Sequence, residues 1–356
     1  MQLPSRYKRL TKSVQIGGFG AVIPLEDTYL RRIVLLKAMQ DSANNAQLQN
    51  EILNLCKARS RHVVEIYDVL KKPNGEIEGV IIERLRGRDF VDFHAHALVA
   101  PDAYLKILFQ VATALRDLHA VGIVHRDLKL DNFKESAAGV VKLYDFGISS
   151  PDGGYQTKEN KGTLHYAAPE LYKPGATITA EMDIYAFGVC TWALAQQKLP
   201  AVLREQPPQQ SASCPSLGTL AHLGLHPEVV NLIDASLNVD PKKRPKATEL
   251  NEVLARNLVR GRHRGLFVQG SKKVVELSSA QPSVTLKIGS LGEIRVAYDG
   301  LFFIVTGVTG SVRINNGEVK LGDVLHNSCL LSFGDRSLGS SQQWVTFSSS
   351  HPEVVL

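Results

Sequence analysis

Two short polar segments set the strongest limit on how this chain can fold: His125-Arg126-Asp127-Leu128-Lys129-Leu130-Asp131-Asn132, and Asp145-Phe146-Gly147, which begins 13 positions after Asn132. Between Asp127 and Asp145 the chain gathers a carboxylate, an ammonium, a carboxamide and a second carboxylate within 19 residues. Any one Asp or Lys in a polar stretch is ordinarily a solvated loop residue. The set taken together asks for another explanation. Moving a phosphoryl group needs little covalent chemistry from a protein and much charge management: a carboxylate beside the attacking hydroxyl, hard oxygen ligands for a metal, and cations on the developing charge. A chain that carries these groups on separate loops has to fold so that the loops meet in one cleft.

The flanking patterns divide the chain. With 356 residues, 44% hydrophobic and 21% charged, it is globular and too long for one ordinary core, so two or more domains are expected. The first ninety or so residues read as strands interrupted by one helix. Ile33, Leu35 and Lys37 alternate with Val34 and Leu36, which sets one ammonium on the side of its alternate apolar neighbours. Leu48, Ile52 and Leu55 recur at helical spacing after a cap at Asp41 or Ser42, so the strand lysine faces a helix carrying Glu51. From Pro101 the pattern turns helical: Tyr104, Leu108, Val111, Leu115 and Leu118 form one apolar face that Gly122 stops. Segments 182–196, 227–237 and 247–258 extend this helical part, and Pro207 to Ser213 is a loop by composition. After about residue 264 short alternating strands take over, with hairpin signals at Asp299-Gly300, between Ile294–Tyr298 and Leu301–Val305, and at Asn316-Gly317, between Val312/Ile314 and Val319/Leu321. The expected class is α+β: a strand-rich lobe over residues 1–85, a mainly helical lobe over 86–262, and a small all-β, sandwich-like domain over 263–356.

Several function classes fall away. The net charge of +6 comes from scattered Lys and Arg, and residues 264–356 carry 8 basic against 7 acidic groups, so no nucleic-acid partner is expected. The densest basic patch, Arg256 to Arg264, reads as a solvated linker. Cys56, Cys190, Cys214 and Cys329 show neither zinc spacing nor the density of a disulfide framework, which suits a reducing compartment. Residues 1–8 lack a signal-type apolar core and no run approaches the roughly 18 apolar residues of a spanning helix. The expectation is a cytoplasmic protein with no membrane partner.

Residues 10–260, about seven tenths of the chain, resemble the eukaryotic-like protein kinase family. The octad fits His-Arg-Asp-Leu-Lys-x-x-Asn, Asp-Phe-Gly follows at the proper spacing, and the other landmarks stand in order. The resemblance implies a bilobal kinase fold with ATP and Mg2+ as cofactors, acting on serine or threonine of protein substrates and on itself. It assigns Asp127 to the substrate hydroxyl, Lys129 to the γ-phosphate, and Asn132 with Asp145 to magnesium. Lys37 would contact the α- and β-phosphates and pair with Glu51. Gly17, Gly18, Phe19, Gly20 and Val22 would cover the nucleotide, and Leu35, Ile82, Glu83 and Leu85 would line the adenine pocket. Leu55, Ile66, His125 and Phe146 match the family's apolar spine, Glu170 should pair with Arg244, and Asp183 should brace the catalytic loop. Serine/threonine specificity follows from Lys129 and from Thr163, placed like the threonine that contacts Asp127 and Lys129. Arg126 matches the arginine that anchors an activation-loop phosphate, with Thr157 as the expected site.

Two positions depart from the family pattern. Gln15 stands where a first glycine belongs, and Leu35 where alanine commonly lies against adenine. These departures motivate the alternative of a pseudokinase or scaffold that binds nucleotide or partners without efficient catalysis. The carboxy-terminal domain is faintly similar to forkhead-associated modules through segments 312–317 and 330–335, without their phosphothreonine-reading signatures. It is expected to make a partner or autoregulatory contact.

Overall fold

The computed structural model describes residues 3–10, 15–17, 20–38, 45–97, 100–146, 150–151, 164–270 and 273–354, with only the backbone path for some of them. The expectations on Asp41, Ser42, Gly18, Phe19, Gly147, Thr157 and Thr163, and on the side chain of Glu51, lie outside the described residues. Two compact units divide at Leu254/Ala255.

The first unit opens with strands β1 (Tyr7–Arg9), β2 (Gln15–Gly17), β3 (Gly20–Asp27) and β4 (Arg32–Ala38), then helix α1 (Asn45–Lys57), then β5 (Ile66–Lys71) and β6 (Ile77–Glu83). They form one antiparallel sheet in the order β1-β3-β4-β6-β5, with β2 paired to β3. Strand alternation gives the sheet two apolar faces. Val34, Leu36 and Ile81 close one small core with Tyr7, Ile23 and Leu25. Val80, Ile82 and Leu35 turn the other way, onto the large core that includes Ile52 and Leu55 of α1. Lys37 shares the face of Leu35, and β4 sinks its stem, so the residue is only 8% exposed.

The helical part follows with α2 (His94–Ala97), α3 (Pro101–Ala120), the short strands β7 (Ile123–Val124), β8 (Phe133–Glu135), β9 (Val141–Leu143) and β10 (Ser150–Pro151), then α4 (Ala180–Ala195), α5 (Pro227–Ser236) and α6 (Ala247–Leu258). Helix α3 starts with proline at its first turn and is followed by Gly122 at φ +69°, a left-handed position that suits glycine. Its expected face is fully buried: Tyr104, Leu108, Val111, Leu115 and Leu118 are each at most 1% exposed. Helix α4 is apolar nearly all round and buried along most of its length, the mark of a central helix. The Tyr104 hydroxyl donates to the Thr191 carbonyl at 2.9 Å and ties α3 to it.

The second unit begins within α6, earlier than the expected boundary at 263, because the basic stretch is no free linker. The Gly261 amide donates to the Gly300 carbonyl at 2.7 Å, the His263 amide to the Tyr298 hydroxyl at 3.1 Å, and the Arg264 amide to the Ser350 hydroxyl at 2.8 Å. Among the described residues the strands that follow are β11 (Gly265–Gln269), β12 (Lys273–Leu277), β13 (Ser283–Ile288), β14 (Gly292–Tyr298), β15 (Phe303–Gly310), β16 (Val312–Ile314), β17 (Gly317–Glu318), β18 (Val324–Leu325), β19 (Ser328–Phe333) and β20 (Gln343–Ser349). One sheet runs β12-β11-β20-β19-β16-β17 and the other β13-β14-β15-β18. Inward residues of both, including Phe267, Val296, Phe303, Leu331 and Phe347, share one core, which makes an all-β sandwich.

Both hairpins form, with turns other than those expected. Tyr298 pairs with Phe303, so Asp299 to Phe302 is a four-residue connection, and the Asp299 carboxylate accepts from the Leu301 and Phe302 amides, each at 2.8 Å. Ile314 pairs with Gly317, which puts Asn315 and Asn316, not Asn316-Gly317, at the two-residue turn. Their φ values of 49° and 70° are the left-handed pair of a type I′ turn, which asparagine tolerates better than most residues.

Candidate active site

Every described chemistry-bearing residue of the cleft sits at the end of a strand or on a loop pinned by backbone hydrogen bonds. Strand β4 carries Lys37, whose ammonium donates to Asp145 Oδ1 at 2.8 Å across 108 positions of sequence. Leu130–Asn132 forms a single 3-10 turn between β7 and β8. There Lys129 Nζ donates to Asp127 Oδ2 at 2.7 Å, while Asn132 Nδ2 donates to the Asp127 carbonyl at 2.8 Å and to its Oδ2 at 3.0 Å. Asp127 and Asn132 are both buried. With its nitrogen directed at Asp127, the Asn132 amide keeps its oxygen as the face for a hard cation.

Backbone conformation marks the same residues. Arg126 at φ +71° and Asp145 at φ +66° are non-glycine residues in the left-handed region, which costs of order 1–3 kcal/mol at each site and persists where neighbours hold it. For Arg126 the holder is Asp183 of α4. Asp183 Oδ2 accepts from the His125 amide at 2.8 Å and from His119 Nε2 at 3.0 Å, and Oδ1 accepts from the Arg126 amide at 2.9 Å. Burial alone would push the Asp183 carboxyl up; the His119 hydrogen bond and the nearby His119, His125 and Arg126 groups outweigh it and hold it below the usual carboxylate range. His125 itself packs against Phe146, ring centroids 4.7 Å apart, and both are fully buried. Leu55 and Ile66 pack in the same core as Phe146.

At the rear of the cleft Leu35 pairs with Ile82 across β4 and β6, Leu35 half-buried and Ile82 buried. Val22 lies opposite Lys37 on β3, and Gly17 opposite Gly20 on the β2–β3 hairpin. The Glu83 amide donates to the Glu65 carbonyl at 2.9 Å. Its carboxylate receives Lys142 Nζ at 2.6 Å, and the same ammonium reaches Glu65 at 3.4 Å. Leu85, half-buried, follows. Gly87 then passes so close to β8 that an added Cβ would stand 2.4 Å from Glu135 Cβ, which fixes the path of this connection. On the helical side Arg244 grips Glu170 through two bonds of 2.6 and 2.8 Å, donates to the Glu181 carbonyl at 2.9 Å and lies over the Tyr185 ring. A small cavity beside Asp127 is lined by Leu128, Tyr166, Leu171 and Met182.

Two residues enter this site unannounced by any motif. Lys142, in the buried triplet of β9, supplies the cation under Glu83; a lysine between Val141 and Leu143 was the available signal. Tyr144 precedes Asp145, and its hydroxyl donates to the Asp131 carbonyl. Burial, with the Asp89, Asp131 and Asp145 carboxylates, pushes that phenol up to about 12, so it stays a donor.

The donor set suits magnesium. Among the described residues no group of three His, Cys, Asp or Glu side chains gathers as a closed cage. One carboxylate and one amide oxygen, from Asp145 and Asn132, match the way Mg2+ is held by few protein oxygens plus phosphates and water.

Comparison with known sequences decides the family, because the protein kinase domain model matches residues 9–254, more than two thirds of the chain. The chain belongs to the protein kinase domain family. The kinase match ends inside α6, at the last residue of the first unit. Similar proteins include a probable serine/threonine-protein kinase PknB of Lactococcus lactis, 31% identical over 205 residues, 54% of this chain and 32% of that protein. Another is the serine/threonine-protein kinase PknE of Mycobacterium tuberculosis, 35% identical over 190 residues, 50% of this chain and 32% of that protein. The matched region thus spans about a third of the length of these kinases. No described helix is long and apolar enough to cross a membrane.

Proposed function

We propose that this kinase domain is catalytically active and transfers the γ-phosphoryl group of ATP, with magnesium, to serine or threonine of protein substrates, including its own chain. The carrying observation is the Lys37–Asp145 contact at 2.8 Å, which brings the strand lobe's cation to the metal loop of the helical lobe. In this reading Asp127 takes the proton of the attacking hydroxyl while Lys129, 2.7 Å away, keeps a cation where charge develops on the transferred group. Asn132 and Asp145 would hold magnesium, which supplies charge neutralisation on the phosphates when bound. Lys37 orients the nucleotide's phosphates, and the Leu35–Ile82 wall with the backbone of Glu83 and Leu85 holds its base. Similarity to serine/threonine-protein kinases and the presence of Lys129 support that acceptor class.

Incubation with labelled ATP, Mg2+ and a generic protein substrate tests the proposal. Wild type should label serine and threonine, and Asp127→Ala should fall to background. Equal labelling by the two would refute it. Thr157 is the proposed activating site, to be anchored by Arg126. Active protein that mass spectrometry finds unphosphorylated there, together with a fully active Thr157→Ala, would remove that part.

A further inference from the structure

We propose that Tyr144 is a positioning residue for the metal-binding pair, clasping the loop that carries Asn132 to the segment that carries Asp145. The inference rests on the kinase reading above. Its ground is a double attachment. The Tyr144 amide donates to the Asn132 carbonyl at 3.1 Å, and its hydroxyl, from the far end of the ring, donates to the Asp131 carbonyl. Two successive carbonyls of the 3-10 turn are thereby fixed to the one residue that precedes Asp145.

The β8–β9 ladder, which ends at the Phe133–Leu143 pair, brings the two segments alongside, and the clasp carries that tie onward to the ligand-bearing residues. Asn132 is held from its own side by its amide bond to the Lys129 carbonyl at 3.0 Å and by its two side-chain bonds to Asp127. Those bonds fix Asn132 relative to Asp127, and none of them fixes it relative to Asp145. Asp145 in turn sits at φ +66°, a conformation a non-glycine residue keeps only when its surroundings impose it. The Tyr144 ring, half-buried at the margin of the large core, gives the clasp a rigid arm. Asp131 is exposed, so water could satisfy its carbonyl if the hydroxyl were absent. The hydroxyl therefore adds little to the stability of the fold. What it sets is the spacing between two oxygen ligands, which magnesium, with its near-ideal octahedral demand, reads closely.

The test is Tyr144→Phe in the full chain, which removes the hydroxyl and keeps the ring. ADP binding is followed by titration calorimetry with Mg2+ and, separately, in EDTA, alongside thermal unfolding and the separate kcat and KM values for ATP and for peptide. The loss of one hydrogen bond predicts that ADP affinity in the presence of Mg2+ falls about three- to tenfold. Binding in EDTA, the melting temperature and the peptide KM should stay within error of wild type. Unchanged Mg2+-dependent binding overturns the proposal, and so does an equal fall with and without Mg2+, since that would make Tyr144 a packing residue of the nucleotide pocket. Wild type that shows no Mg2+-dependent ADP binding and no phosphorylation would remove the kinase reading and this inference with it. Wild type proficient in both, beside an indistinguishable Tyr144→Phe, removes the inference alone.

Discussion

Replacing Asp183 by asparagine should damage the kinase domain more than its loss of one charge suggests. The carboxylate accepts three hydrogen bonds, of 2.8, 2.9 and 3.0 Å, through two oxygens, two of them from the backbone amides of His125 and Arg126. Asparagine offers one oxygen, and its NH2 must face a donor. One buried N–H is then stranded at about 1–3 kcal/mol, and the two surviving bonds drop from charge-assisted to neutral strength, about 1 kcal/mol each. The sum is about 3–5 kcal/mol, which for a unit of this size lowers Tm by about 6 °C or more. Trp192, buried in α4, reports unfolding of this unit, and a Trp344→Phe background silences the tryptophan of the β sandwich. Urea titration of that pair gives ΔΔG, and phosphorylation should fall at least about tenfold as the backbone at Arg126 loosens. The pH dependence carries a sign. Because the folded carboxyl is held below its unfolded value near 3.9, its contribution is complete above about pH 4 and disappears as pH falls through the folded value. The gap between wild type and Asp183→Asn should therefore persist at neutral pH and narrow in strong acid. A loss under about 1 kcal/mol with phosphorylation intact would refute the reasoning.

Leu35→Ala should tighten nucleotide binding by about fivefold or more, if the leucine overfills the wall opposite Ile82 at the usual cost of about 1–3 kcal/mol; calorimetry with Mg2+ and ADP reads it, and weaker binding would contradict it. Lys142→Met leaves the mostly buried Glu83 carboxylate without its cation, and should cost about 1–3 kcal/mol, reduced from the fully buried case because Glu65 is more than half exposed. A double-mutant cycle with Glu83→Gln should recover most of that loss, and strict additivity would show that the two do not interact.

How much was legible in advance depended on whether the signal is local. The buried face of α3 could be read because five apolar residues repeat at helical spacing and Gly122 supplies the left-handed stop. The landmarks around Asp127, Asp145 and Glu170 were equally open, since each is a run of adjacent residues. Lys142 is silent in the sequence because its partners, Glu83 and Glu65, stand 59 and 77 positions away, and no window of sequence shows a carboxylate arriving from another strand. Tyr144 escaped for a similar reason: its acceptor is a backbone carbonyl, which every residue has. Alternating strands announce both hairpins but not their turns; the pairing of Ile314 with Gly317 puts one turn a residue upstream of the Asn-Gly dipeptide. Composition marks the basic stretch before Gly265 as a linker and cannot reveal that its amides bond to Gly300, Tyr298 and Ser350.

The left-handed backbone at Arg126 and Asp145 makes robustness and chemistry competing goods in this molecule. Glycine or asparagine would suit either conformation better, so a screen that rewards heat resistance alone should drift toward them at both positions. Its winners would be sturdier proteins lacking the guanidinium proposed to anchor a phosphate and the carboxylate that Lys37 contacts.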